Sequence, residues 1–367
     1  MNIDIKRLVV KYNHKVVGYL ETLSNQTIAF QYDKNWVENG FSISPFHLPL
    51  TDKVYISKSE HFNGLFGVFF DSLPDGWGEL LMRRMLAKKG INFDKISALT
   101  KLSLINDNGL GALTYEPTQS EKNIGKYSDL DTLATEIKQI FENSATKNNF
   151  DEIYELGGAS GGARPKVHIT MDEEDWIVKF SSSIDPKGIG KLEYQANLLA
   201  LKAKINVNQC KLFPSKNHSG YFGAKRFDKI GKKRIHMISL SALLETTPKI
   251  PNLDYSHLFQ VIQKICIDQD DLYEAYKRMC FNVLYENKDD HGKNTAFLYD
   301  DNKGGYKLSP FYDITQTKHK FEHEMTVLGN GKPTETDLID IAKLFNLSLK
   351  KIQMIIKEIK ETISNEA

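Results

Sequence analysis

"YENKDDHGKNTAFLYDDNKGGYKLSPFYDIT", residues 285–315, decides how the rest of the chain is read. It gathers Asp289, Asp290, His291, Lys293 and Asn294 just after an apolar helical run, then closes on a lone Asp313. The runs "TAFLYDD" and "YKLSPFYD" flank the turn "NKGG", which predicts a hairpin. A hairpin carries Asp313 back beside Asn294 and offers Mg²⁺ two hard oxygen ligands. From Asp289 to Asn294 the spacing is D-x-x-x-x-N, as in a kinase catalytic loop, where the Asp meets the hydroxyl proton and the Asn holds a metal. Two other readings compete: a solvated polar turn, and a metal hydrolase built on Asp289, Asp290 and His291. A plain turn leaves the distant Asp313 without purpose. A zinc site lacks a second nearby His and any H-x-x-x-H pattern.

Upstream, "DLYEAYKRMCFNVLYEN" places apolar residues at 272, 275, 276, 279, 280, 283 and 284, the stripe of an amphipathic helix that would hold this loop rigidly. Before it lies a β-rich block with the Gly-rich loop "LGGASGGARPKVHIT", the strand "DWIVKF" and the helix "KLEYQANLLALKAK". Glycines let backbone N–H groups converge on an anion. The loop is not a Walker A, since G-x-x-x-x-G-K-[ST] is absent. Lys179 on the alternating strand is positioned to reach phosphates, and Glu193 of the next helix is the candidate that steadies it. A β-rich region with a Gly loop and lysine, followed by a helical region with an Asp/Asn cluster, is the order of a phosphoryl-transfer enzyme. The hydrolase reading leaves Lys179 and the Gly loop unused.

Further toward the N-terminus, "RLVVKYNHKVVGYLETLSNQTIAFQYD" offers three strands split by "NH" and "SNQ", an antiparallel meander. "FDSLPDGWGELLMRRMLAKKG" reads as a turn feeding a helix, with Leu80, Leu81, Met85 and Leu86 as its apolar face and Arg83 and Arg84 on the solvent side. "GALTYEPT" closes this part as a strand. The expected division is 1–117 as an N-terminal subdomain, 118–150 as a polar connection with one weak helix, 151–243 as the β-rich region and 244–367 as the helical one.

The bulk composition, 41% hydrophobic and 26% charged with a net charge of +1, is that of an ordinary globular protein. It supplies no global attraction to nucleic acid or anionic membranes. No apolar run approaches a membrane span and no secretory signal opens the chain. Three scattered cysteines fit a reducing cytoplasm better than a disulfide framework.

Taken together, "VVGYLE", "GLFGVFFDSLPDGWG", "GALTYEP", "GGARPK", "VKF", "RFD", "NKDDHGKN" and "LSPFYDI" resemble the HipA family, the serine/threonine-kinase toxins of bacterial type II toxin–antitoxin modules. The resemblance spans nearly the whole chain. It implies an α+β, two-lobed protein-kinase-like fold, with a β-rich N-terminal lobe, an added N-terminal subdomain and a mainly helical C-terminal lobe. It implies Asp289 as the catalytic Asp, Asn294 and Asp313 as Mg²⁺ ligands, and Gly161, Gly162, Ala163, Arg164, Pro165 and Lys166 as the phosphate-binding loop. Lys179 matches the ATP lysine. Lys225, Arg226 and Phe227 fall at the hinge that meets adenine largely through backbone groups. His291 and Lys293 lie in a second nucleotide-contacting stretch. Family members commonly carry a serine before the loop whose autophosphorylation silences the kinase. Here Ser160 is the candidate, one residue closer to "GGARPK", with Ala159 at the matching place. Two added negative charges inside an anion-binding nest would expel ATP.

The resemblance further implies a helix-turn-helix antitoxin of the HipB type, DNA contacted through that partner, and a protein substrate such as glutamyl-tRNA synthetase or another aminoacyl-tRNA synthetase, phosphorylated to arrest growth and favour persistence. The alternative is a catalytically silent kinase-like module acting as co-repressor.

Overall fold

The computed structural model describes residues 2–24, 26–59, 61–105, 109–119, 129–142, 150–182, 185–247 and 250–365. These form two compact units. One comprises residues 1–191 with 211–237, the other 192–210 with 238–367.

The first unit opens with the expected meander, β1 (Arg7–Tyr12), β2 (Lys15–Thr22) and β3 (Ile28–Tyr32). Tyr12 pairs with Lys15 across a two-residue turn in which Asn13 and His14 both have positive φ. That is a type I′ turn, whose twist matches the flanking strands. With β4 (Val54–Ile56) and β5 (Leu113–Glu116) the sheet order is β4-β3-β2-β1-β5. "GALTYEP" thus closes the sheet as expected, beside β1.

A second sheet carries β6 (Lys166–Met171), β7 (Glu174–Lys179), β8 (Cys210–Phe213) and β9 (Tyr221–Lys225) in the order β6-β7-β9-β8. The Gly-rich stretch is therefore shorter than its sequence suggested. Residues 150–157 are helical and 166–171 are strand, leaving 158–165 as the loop.

One core joins these parts. Trp77, Leu81, Met82, Met85 and Leu86 of the helix Gly76–Lys88 pack with Val167, Ile169, Trp176 and Val178 of the second sheet. The helix Leu130–Phe141, inside the supposed polar connection, adds Leu133, Ile137 and Ile140. Residues 120–128 and 143–149 of that connection lie outside the described residues. Arg84, expected on the solvent side, instead donates to the carbonyl of Ile140. A cation is favoured there because the last carbonyls of a helix carry partial negative charge.

In the second unit the helix Asp270–Tyr285 buries Leu272, Ala275, Tyr276, Met279 and Cys280 of the predicted stripe, while Val283 and Leu284 are half-buried and Phe281 is buried in addition. It ends at Glu286, in the left-handed region at φ 59°. The strands Ala296–Asp300 and Gly305–Leu308 form the predicted hairpin, pairing Phe297 with Leu308. The helices Tyr255–Ile265, Glu335–Leu344 and Leu349–Ser364 complete it. Among the described residues no helix is long and apolar enough to cross a membrane.

Candidate active site

In the second unit the hairpin is tied to the loop before it. Ser309 donates its amide to Ala296 at 2.9 Å, and the Tyr312 hydroxyl donates to the Lys293 carbonyl at 2.6 Å. The residue before Asp313 is thereby tied to the residue before Asn294. Asn294 Nδ2 donates to the Asp289 carbonyl at 2.8 Å, which closes the loop and turns Oδ1 into the donor atom left for a cation. Asp313 has φ 59°, a conformation that an Asp tolerates at some cost and that concentrates at functional sites. His291 caps the short 3-10 turn 292–294, its Nδ1 accepting from the Lys293 amide at 3.2 Å. Gly292 is required by close packing: a Cβ there would lie 2.5 Å from Leu253 Cδ1 and Ser241 Oγ.

Asp289 and Asp290 point to different fates. The Asp289 side chain is 37% exposed, and its Oδ1 accepts from Lys320 Nζ at 2.5 Å. Lys320 also bonds Glu324 at 2.8 Å. Partial burial works against the ammonium, but these two carboxylates outweigh it and hold Lys320 above the ordinary lysine range.

Asp290 is 3% exposed. Its Oδ2 accepts from the Tyr255 hydroxyl at 2.8 Å and faces His323 Nδ1 at 2.9 Å, while Oδ1 accepts the Glu324 amide at 2.9 Å. Tyr255 in turn accepts from Asn282 Nδ2, whose Oδ1 accepts from Asn287. Burial pushes the Tyr255 phenol well above its ordinary range, and the adjacent Asp290 pushes the same way, so Tyr255 remains a donor. This buried network is a floor beneath the loop, and no pattern in the sequence marked it.

In the first unit the loop 158–165 has a brace that the sequence also left unseen. The Gly162 amide donates to Asp75 Oδ1, the Trp77 amide donates to the Gly162 carbonyl at 3.0 Å, and Trp77 Nε1 donates to the Lys166 carbonyl at 3.1 Å. "PDGWG" (74–78) thus lies flat against the Gly loop, and glycine is needed where backbones touch. A Cβ on Gly76 would lie 2.5 Å from the Gly162 oxygen, and one on Gly78 2.2 Å from the Ser160 oxygen. Gly78→Ala is therefore expected to cost about 2 kcal/mol of stability through overpacking, as read by thermal melts.

Ser160 is fully buried, its hydroxyl donating to the Gly157 carbonyl at 2.5 Å. Arg164 pairs with Asp185 at 3.0 Å. Lys166 and Lys179 are directly opposite across β6 and β7. Both side chains thus stand on the same face of the sheet. Lys166 Nζ itself lies 2.6 Å from where a Gly162 Cβ would be. Lys179 Nζ stands 5.5 Å from the centre of the Phe222 ring.

The hinge candidates fall on and just after β9. Lys225 pairs with Glu174. Arg226 is buried and bidentate to Asp228, at 2.9 and 2.5 Å, and reaches the Gly109 carbonyl at 2.7 Å. Its amide donates to the Asp175 carbonyl at 2.7 Å. The Arg226 side chain is thus a structural tie to the N-terminal sheet region. Phe227 is partly buried beside it. Glu193, in the second unit on the helix Ile189–Lys202, is 2% exposed, so its carboxylate is not a solvated helix glutamate.

Known proteins resemble the chain over most of its length. Residues 8–116 match the HipA N-terminal domain and residues 158–367 the HipA-like C-terminal domain. The chain is similar to the putative kinase Y4mE of Sinorhizobium fredii, 26% identical over 337 residues that span 85% of this chain and 78% of that one. Among solved structures it is similar to a chain of the Shewanella oneidensis MR-1 HipA, HipB and operator DNA complex. There the TM-score is 0.71 at 18% identity, over 97% of this chain and 90% of that one. A looser likeness, with TM-score 0.38 and 16% identity over 54% of this chain and 86% of that one, is to the Helicobacter pylori proinflammatory kinase CtkA. The fold class is α+β and protein-kinase-like, as the sequence led one to expect.

Proposed function

The chain belongs to the HipA family, and from that premise we propose that it is an ATP- and Mg²⁺-dependent serine/threonine protein kinase, the toxin of a type II toxin–antitoxin module. The observation that supports the reading is the bond from the Tyr312 hydroxyl to the Lys293 carbonyl, between the residues that precede Asp313 and Asn294, together with the Asn294 bond to the Asp289 carbonyl. Asp289 receives the proton of the substrate hydroxyl as its oxygen bonds to the γ-phosphorus. The bond from phosphorus to the β–γ bridging oxygen breaks, and ADP departs with that electron pair. Asn294 and Asp313 present hard oxygens suited to Mg²⁺, an ion that keeps several waters and needs few protein ligands. Bound there, it would neutralise phosphate charge. Gly161–Lys166 and Lys179 bind the phosphates, and Lys225–Phe227, His291 and Lys293 contact the nucleotide.

The protein substrate we put forward is an aminoacyl-tRNA synthetase, phosphorylated in the cytoplasm. The partner is a HipB-like antitoxin, through which DNA is reached; the likeness to a chain from a HipA, HipB and operator DNA complex supports this. Incubation with labelled ATP is expected to transfer label to protein, to lose at least about 100-fold of that rate on chelation of divalent metal, and to regain it with Mg²⁺. Label transfer that is absent with Mg²⁺ present would overturn the reading in favour of a silent binding module.

A further inference from the structure

Asp289 has two carboxylate oxygens, and the structure treats them unequally. Oδ1 is taken by Lys320 Nζ at 2.5 Å, while Oδ2 accepts no hydrogen bond from the described residues. A side chain 37% exposed would otherwise turn freely about two torsions. Lys320 is itself fixed from several directions. Its backbone carbonyl accepts from Lys288 Nζ at 3.0 Å, and its amide donates to Thr317, whose own amide donates to Glu286. Glu324 holds the ammonium at 2.8 Å, and the Glu324 amide is anchored on the buried Asp290 at 2.9 Å. A chain of contacts therefore runs from the buried floor through Glu324 and Lys320 to the exposed Asp289.

We propose that Lys320 is a positioning residue for phosphoryl transfer, which clamps Asp289 Oδ1 so that Oδ2 is presented to the substrate hydroxyl. This deepens the kinase reading and rests on it. Stability does not account for the pair, because an ion pair with partners 29% and 37% exposed contributes little to folding. Its value is geometric. A base misaimed by about 1 Å costs on the order of 100-fold in rate, and a lysine held by a second carboxylate prevents that drift.

Steady-state kinetics on the full chain test this. Lys320→Met is expected to lower kcat by about 100-fold and leave the KM for ATP within about threefold, while Lys320→Arg recovers most of kcat. In an Asp289→Asn background, Lys320→Met is expected to cause no further loss, because two residues that act as one unit are not additive. A wild-type or raised kcat in Lys320→Met would overturn the proposal; a raised value would mark the lysine as a plug rather than a clamp. An equal further loss in the Asp289→Asn background would also overturn it, as the mark of a merely structural role. A wild-type chain that transfers no phosphoryl group would instead remove the kinase reading, and the positioning role with it.

Discussion

Asp289→Asn is expected to lower phosphoryl transfer by about a thousandfold, near 4 kcal/mol of transition-state stabilisation, with the fold unchanged. The substitution keeps shape and removes the ability to take up the substrate proton. The Asn294 bond goes to the Asp289 backbone carbonyl, so loop closure survives. Lys320 keeps Glu324 as its second partner, so no ammonium is left buried alone. Transfer of label from ATP measures the loss, and circular dichroism confirms the fold. Growth arrest on expression should vanish in parallel, and Asp313→Ala should behave alike. Retained transfer in both variants would remove Asp289 and Asp313 from the mechanism.

The second large effect concerns folding. Asp290→Ala is expected to destabilise the protein by about 3–5 kcal/mol, because it strips a buried carboxylate from partners that cannot reach water. Tyr255 would lose an acceptor at 2.8 Å, the Glu324 amide one at 2.9 Å, and His323 its neighbour. A fall of about 10 °C in the first thermal transition should follow, read by calorimetry. Adjacent aspartates thus separate by function: at 289 a neutral isostere removes rate and spares stability, whereas at 290 truncation removes stability first. An Asp290→Ala protein melting at the wild-type temperature would show that the network is not a support.

The sequence announced the parts of this site that depend on local order. The hairpin after Asn294 was legible because hairpins follow from turn chemistry and alternation. The supporting helix was legible from its apolar stripe. What escaped were contacts between distant stretches with no shared period. Lys320 lies 31 residues from Asp289 and Asp75 lies 87 from Gly162, and neither turn has a pattern that names its target. Asp290 looked like a second candidate for chemistry because composition does not reveal burial. Arg226 was read at a hinge that meets adenine through backbone groups, and the tie of its side chain to Asp228 was not foreseen.

The contact of residues 74–78 with the Gly loop limits how this chain can be cut or recombined. The two family matches end at 116 and begin at 158, as though each half were a separable cassette. A fragment starting at 158 would lack Asp75, which holds the Gly162 amide, and the Trp77 indole and amide that hold the Lys166 and Gly162 carbonyls. Chimeras between relatives must therefore inherit the two stretches as a matched pair, since a swap at the apparent seam leaves the loop without its mould.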